Sequence, residues 1–159
     1  MKIDVVISST SRYKKFGSVS RPAEAEDASG EVILKKLADA GHQFTYQLLP
    51  DGIDPIRKAI LRCRSDAMII CGGTGLAPLD LTLEAAEPLF DKTIPGFGEV
   101  FRLRSLDEVG TRAILTRATA GIVRGVPVFC MPGSPSAAML GTDLVLAEIG
   151  HIIKHIREG

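Results

Sequence analysis

Charge of either sign is not in excess in this chain: Lys plus Arg and Asp plus Glu number 19 each. No bulk field therefore draws it to nucleic acid or to a membrane surface. Cysteine is scarce, and Cys63, Cys71 and Cys130 are odd in number and lack the C-x-x-C spacing of a zinc or redox site. They read as reduced, buried thiols of a cytoplasmic protein. No basic start with a long apolar run precedes the strand-like residues 2–7, which argues against a signal peptide. No apolar run approaches the length of a membrane span, and internal repeats and low-complexity segments are lacking. No spacing supports a Ser-His-Asp or Cys-His arrangement. His151 and His155 lie four apart on the last helical stretch, but the glutamate of a zinc protease is missing, and with His42 they read as surface positions.

What remains is a chain of 159 residues punctuated by 9 prolines and 16 glycines spread between apolar runs. That length fits one domain, residues 1–159, able to bury a real core. Its organising stretch is residues 66–80. The apolar run 67–71 is short and continuous, as in a strand covered on both faces of a parallel sheet. Gly72, Gly73, Thr74 and Gly75 follow, a turn nearly without Cβ atoms, which can take positive φ and let another molecule approach bare backbone N–H groups. In α/β proteins the carboxyl ends of parallel strands are where ligands bind. The turn is neither a P-loop, since no Gly-Lys-Ser/Thr follows, nor the dinucleotide fingerprint, whose glycines are spaced differently. By itself it serves equally as a connector. Asp80, after Pro78 and just ahead of a helix start at residues 81–86, adds a carboxylate beside amides that could hold a phosphate. The two repel unless a cation joins them, which points to Mg²⁺.

Taken in order, residues 2–7 form a strand and residues 8–26 a long polar loop whose Arg12, Lys14, Lys15 and Arg21 suit either an anion-facing flap or a solvated surface. Asp27 is a candidate N-cap for a helix whose apolar face is Val32, Ile33, Leu34, Leu37 and Ala38, ending at Gly41. A strand spans residues 43–49 and a helix residues 53–64. Between them Asp51 sits, like Asp80, just past a strand end, where it either caps or converges on a common site. Residues 95–96 make a turn that places Phe97 and Glu99 at the head of a helix. Glu99 is either a first-turn acid favoured by the helix dipole or a third carboxylate joining the two aspartates. Residues 113–116 and 126–131 read as strands, with residues 120–125 a turn-rich link. Pro132, Gly133 and Ser134 form a second strand-to-helix turn opening a long apolar helix, residues 137–156. On it Leu144, Val145, Leu146, Ile149 and Ile152 suit either core or interface.

These segments together resemble the MogA/MoaB family of molybdenum cofactor biosynthesis proteins, which includes the G domain of gephyrin. The matching pieces are Asp27, Ser29 and Gly30; Leu49, Pro50 and Asp51; Gly72, Gly73, Thr74 and Gly75 with Asp80 five residues on; Pro95, Gly96, Phe97, Gly98 and Glu99; and Met131, Pro132, Gly133, Ser134 and Pro135. They occur in the family's order across nearly the whole chain. The resemblance implies a three-layer α/β/α fold with a mostly parallel central sheet. It also implies adenylylation of molybdopterin with Mg-ATP, or, in a non-catalytic paralogue, molybdopterin binding alone. Asp51 and Asp80 would be the catalytic, Mg²⁺-holding carboxylates. Gly72, Gly73, Thr74, Gly75, Glu99, Pro132, Gly133 and Ser134 would bind substrate. A downstream molybdenum-insertion enzyme and a homotrimeric or homohexameric assembly are implied too. Two positions depart from the family pattern: Leu79 stands where an arginine is usual, and Ser8-Ser9 where Ser-Asp is common.

Overall fold

The computed structural model describes residues 1–158. Its six-stranded sheet runs in the order β2-β1-β3-β6-β5-β4, with β1 (Lys2–Ser8), β2 (Gln43–Leu49), β3 (Ala67–Cys71), β4 (Lys92–Thr93), β5 (Thr119–Val123) and β6 (Val126–Met131). β2, β1, β3 and β6 are parallel neighbours, while β5 pairs antiparallel with both β6 and β4.

The central strands alternate between two cores, as a period of two requires. Ile3, Val5 and Ile7 of β1, Ile69 and Cys71 of β3, and Phe129 and Met131 of β6 face one core. Helices α2 (Ala28–Asp39), α5 (Pro95–Val109) and α6 (Pro135–Glu158) cover it, contributing among others Ile33, Leu37, Phe101, Val145 and Ile149. Val6, Met68, Ile70, Val128 and Cys130 face the other core, under α3 (Ile53–Arg62) and α4 (Thr82–Ala86). The result is the expected three-layer α/β/α arrangement. Against the expectation that no apolar run approaches a membrane span, α6 is long and apolar enough by length and composition to cross one. Here its Val145, Ile149 and Ile153 are buried against the sheet, while Leu144, Leu146 and Ile152 are only partly covered.

Four readings of the sequence need correction. Residues 113–116 are not a strand: Gly110–Leu115 is a 3₁₀ helix. Its Ile114 and Leu115 are 81% and 52% exposed, so a short apolar run that imitates a strand pairs with nothing. The strand lies further on, at Thr119–Val123, in what reads as a link. It joins β6 through a two-residue turn, Arg124 and Gly125, both at positive φ (51° and 79°), as the twist of a tight hairpin demands. Residues 8–26 are not one loop either. They contain α1 (Thr10–Phe16) and a 3₁₀ turn, Pro22–Ala25. No residue of α1 is fully buried, so no apolar period betrays it. Ser9 caps it by accepting from the Arg12 amide at 3.4 Å. Lastly, Pro95 begins α5 outright, at a position where its missing N–H costs nothing.

The topology fixes where a ligand can sit. The crossover from β1 through α2 leads to β2 on one side. The return through α3 leads to β3 on the other side of β1, and α2 and α3 cover opposite faces. The strand order therefore reverses between β1 and β3, and their carboxyl ends frame a crevice.

Candidate active site

Four adjacent parallel strands deliver the lining of a cleft of about 790 Å³ at that crevice. β2 ends in Asp51, β1 in Ser8, Ser9 and Thr10, β3 in the glycine turn, and β6 in Pro132 and Gly133. The backbones meet closely. A Cβ at Gly72 (φ 103°) would strike the Ser8 carbonyl oxygen, and one at Gly133 would lie 3.2 Å from the Gly72 Cα. The Gly72 amide donates to the Met131 carbonyl at 2.9 Å. The Cys71 thiol donates to the Pro132 carbonyl at 3.3 Å, and burial pushes its pKa up to about 12, keeping the proton in place. On the far side of that turn, the Ser29 hydroxyl donates to the Gly133 carbonyl at 2.7 Å.

Asp51 is held on three sides. Its Oδ1 accepts from the Ser8 hydroxyl at 2.6 Å, its Oδ2 from the Thr10 amide at 2.8 Å, and its own amide donates to Thr10 Oγ1 at 2.9 Å. Asp80 folds back on its own turn, with Oδ2 accepting from the Ala77 amide at 2.9 Å. Among the described residues its Oδ1 takes no hydrogen bond. The glycine turn lies between these carboxylates. The Cβ direction of Gly73 comes within 3.1 Å of Asp51 Oδ1, and that of Gly75 within 2.5 Å of Asp80 Oδ2. Asp51 and Asp80 thus share one cleft on either side of a nearly bare backbone.

A third carboxylate, Asp27, lines the same cleft but is 1% exposed. Its oxygens are engaged: Oδ1 caps α2 through the Gly30 amide at 3.0 Å, and Oδ2 accepts from the Tyr46 hydroxyl at 2.8 Å. Burial, and then this bond, hold the Tyr46 phenol above its ordinary pKa. The lining cations are Arg12, Lys14 and Arg117. The other two basic residues of the 8–26 segment look elsewhere, Lys15 to Glu26 at 3.5 Å and Arg21 to Glu24 at 3.0 Å. Arg117 clasps Glu84 with two guanidinium nitrogens at 2.7 and 3.4 Å, and its hydrogen bonds hold the Glu84 carboxyl below its ordinary pKa. Leu79 lines the cleft at 61% exposure.

Of the residues expected from the sequence, Asp51, Asp80, Gly72, Gly73, Thr74, Gly75, Pro132 and Gly133 line this cleft. Ser134 does not; it is exposed and caps α6 by accepting from the Ala137 amide at 3.2 Å. Glu99 is exposed on α5 and lines a neighbouring cleft of about 660 Å³, which shares Thr116 and Arg117 with the first. Sequence reading passes over Thr10 and Arg117. Arg117 stands in the coil before β5, 43 positions from the Thr74 carbonyl it contacts, and no local pattern signals so distant a partner.

The sequence matches the family described as "Probable molybdopterin binding domain" over residues 4–151. The chain belongs to this molybdopterin-binding family. Among its relatives, the molybdopterin adenylyltransferase of Pyrococcus furiosus is 40% identical over 156 residues, covering 91% of this chain and 92% of the relative. Molybdenum cofactor biosynthesis protein B of Bacillus subtilis is 40% identical over 139 residues, covering 83% and 82%. The crystal structure of the tungsten cofactor synthesizing protein MoaB from Pyrococcus furiosus superposes with a TM-score of 0.85 at 39% identity, over 98% of this chain and 96% of that one. The cleft of this family member is therefore built on the MogA/MoaB fold.

Gly73 offers a direct check on the turn. At φ 65°, with a Cβ colliding with Thr82 Oγ1, Gly73→Ala is expected to cost about 1–3 kcal/mol in urea unfolding. Gly96→Ala, whose Cβ meets nothing within 4 Å, is expected to cost nothing. Equal behaviour of the two variants would contradict the geometry described.

Proposed function

We propose that this protein is a molybdopterin adenylyltransferase of molybdenum or tungsten cofactor biosynthesis, transferring AMP from Mg-ATP to the terminal phosphate of molybdopterin. The observation that carries this reading is the placement of Asp51 and Asp80 on either side of the amide-lined glycine turn, in one cleft. Its volume, about 790 Å³, is in the range of small-molecule sites.

The donor set suits a nucleotide-borne Mg²⁺ better than a resident ion. Among the described residues no group of three or more His, Cys, Asp or Glu side chains could hold a metal. Mg²⁺, however, is ordinarily held by one or two carboxylates together with substrate phosphates. Asp51 and Asp80 would supply those carboxylates, and the ion would offset phosphate charge beside them.

In the reaction an oxygen of the pterin phosphate bonds to the α-phosphorus of ATP. The bond from that phosphorus to the bridging oxygen breaks, and pyrophosphate departs with the electron pair. The attacking phosphate is already anionic, so no strong base is needed, and the protein's work is positioning and charge stabilisation. Ser8 and Thr10 keep the Asp51 carboxylate fixed in direction. The bare turn lets phosphate oxygens reach main-chain N–H groups. Arg12 and Lys14 at the rim add positive charge.

A second reading is a non-catalytic paralogue that holds molybdopterin for a partner, and Leu79 favours it by placing an uncharged side chain at the cleft where the family usually has an arginine. We also place the protein in the cytoplasm, handing its product to a molybdenum-insertion enzyme. A homotrimer or homohexamer is supported by the outward apolar side chains Val100, Leu103 and Leu106 of α5, exposed at 41%, 65% and 46%.

With molybdopterin, ATP and Mg²⁺ the purified protein is expected to form adenylylated pterin. Asp80→Asn is expected to lower turnover about 100-fold or more while pterin affinity is kept. Pterin binding without any Mg-ATP-dependent product would decide for the paralogue. Light scattering is expected to give at least the mass of three copies, and a one-copy mass would remove the assembly.

A further inference from the structure

The direction of the glycine turn's amides is imposed from outside the turn. In a trans peptide the carbonyl of one residue and the N–H of the next point to opposite sides. The Gly72 carbonyl accepts from Thr82 Oγ1 at 2.8 Å, the Gly73 carbonyl from the Thr82 amide at 3.0 Å, and the Thr74 carbonyl from Arg117 Nε at 3.1 Å. These three bonds turn the N–H groups of Gly73, Thr74 and Gly75 the other way. Among the described residues those amides donate to no protein acceptor. They form a run of free donors of the kind that binds anions.

Two of the three anchors come from Thr82, which is 1% exposed. The third comes from a different part of the chain. Arg117 also donates through Nη2 to the Asp80 carbonyl at 3.1 Å, and its Nη1 and Nη2 grip the Glu84 carboxylate. Between Gly75 and Asp80 the residues Leu76, Ala77, Pro78 and Leu79 are all exposed, and the arm's own bonds, the Asp80 amide to the Ala77 carbonyl and the Ala77 amide to Asp80 Oδ2, tie it only to itself. A guanidinium has five N–H donors. Four are engaged in these contacts, which leaves at most one for a ligand. Arg117 is therefore shaped as a brace, despite lining the cleft.

We infer that Arg117, oriented by Glu84, is a positioning residue that fixes the Gly75 amide and the Asp80 carboxylate relative to Asp51. The inference rests on reading the cleft as a nucleotidyl-transfer site. Lysine cannot replace the fork: a compact ammonium has neither the plane nor the spread to reach Thr74, Asp80 and Glu84 together.

Two readouts test it. In turnover with molybdopterin and Mg-ATP, Arg117→Lys is expected to lower kcat about 100-fold, the cost of a displaced reacting group, with a smaller change in KM. Glu84→Gln, at the exposed surface of α4, is expected to lower kcat in the same direction by less, and it stands in should Arg117→Lys fail to fold. In amide NMR, inorganic pyrophosphate is expected to shift the Gly73, Thr74 and Gly75 signals of the unaltered protein. In Arg117→Lys it should still shift Gly73 and Thr74, anchored by Thr82, and no longer shift Gly75. Unchanged kcat in both variants, or all three amides responding as before, overturns the brace while leaving the transferase reading intact. No turnover and no amide response in the unaltered protein would remove that reading and the brace with it.

Discussion

The close passage of the β3 turn over the end of β1 is the constraint on which the site depends. At Gly72 the backbone lies so near the Ser8 carbonyl that no side chain fits. The φ of 103° there is one that other residues rarely adopt. This approach sets the glycine turn beside Ser8, and Ser8 in turn holds Asp51, which arrives from β2. The Met131 carbonyl fastens the same glycine to the end of β6. One residue without a side chain thereby joins three strand ends at the point where the sheet's connections reverse.

Electrostatics explains why the rest of the cleft is braced so heavily. Three aspartates, Asp27, Asp51 and Asp80, line it together with three cations, and a phosphate entering there meets both signs at once. Each carboxylate is held by neutral donors: Asp27 by the Gly30 amide and Tyr46, Asp51 by Ser8 and Thr10, Asp80 by the Ala77 amide. Among the described residues none of them forms a direct ion pair, and Arg117 is matched to Glu84 instead. Asp51 and Asp80 thus line the cleft held by neutral donors, while Asp27, buried with both oxygens bonded, serves the architecture of α2.

The legible parts of this protein were those written in local chemistry. Residues 67–71 read as a buried strand because every one of them is buried on a two-sided sheet. Asp51 and Asp80 are legible because each follows a strand and precedes a helix, and the motifs around them mark the family. What could not be read is non-local or lacks a period. α1 packs only the partly buried Tyr13 and Phe16 against the core, so its pattern is faint. Residues 113–116 carried the composition of a strand without a partner for it. Glu99 reads either as a first-turn acid or as a third carboxylate beside the aspartates, and α5 presents it to the adjacent cleft. Arg117 has no local motif at all, and its partners Thr74, Asp80 and Glu84 are brought to it only by the fold.

The central claim is that the amides of Gly73, Thr74 and Gly75 and the carboxylates of Asp51 and Asp80 act on one phosphate chain. Its most direct test is a crystal structure of the protein with Mg²⁺ and a slowly hydrolysed ATP analogue. The account predicts phosphate oxygens on those amides and a single cation contacted by both aspartates. A nucleotide whose phosphates lie instead in the neighbouring cleft beside Glu99, with Asp51 and Asp80 facing only water, would contradict it.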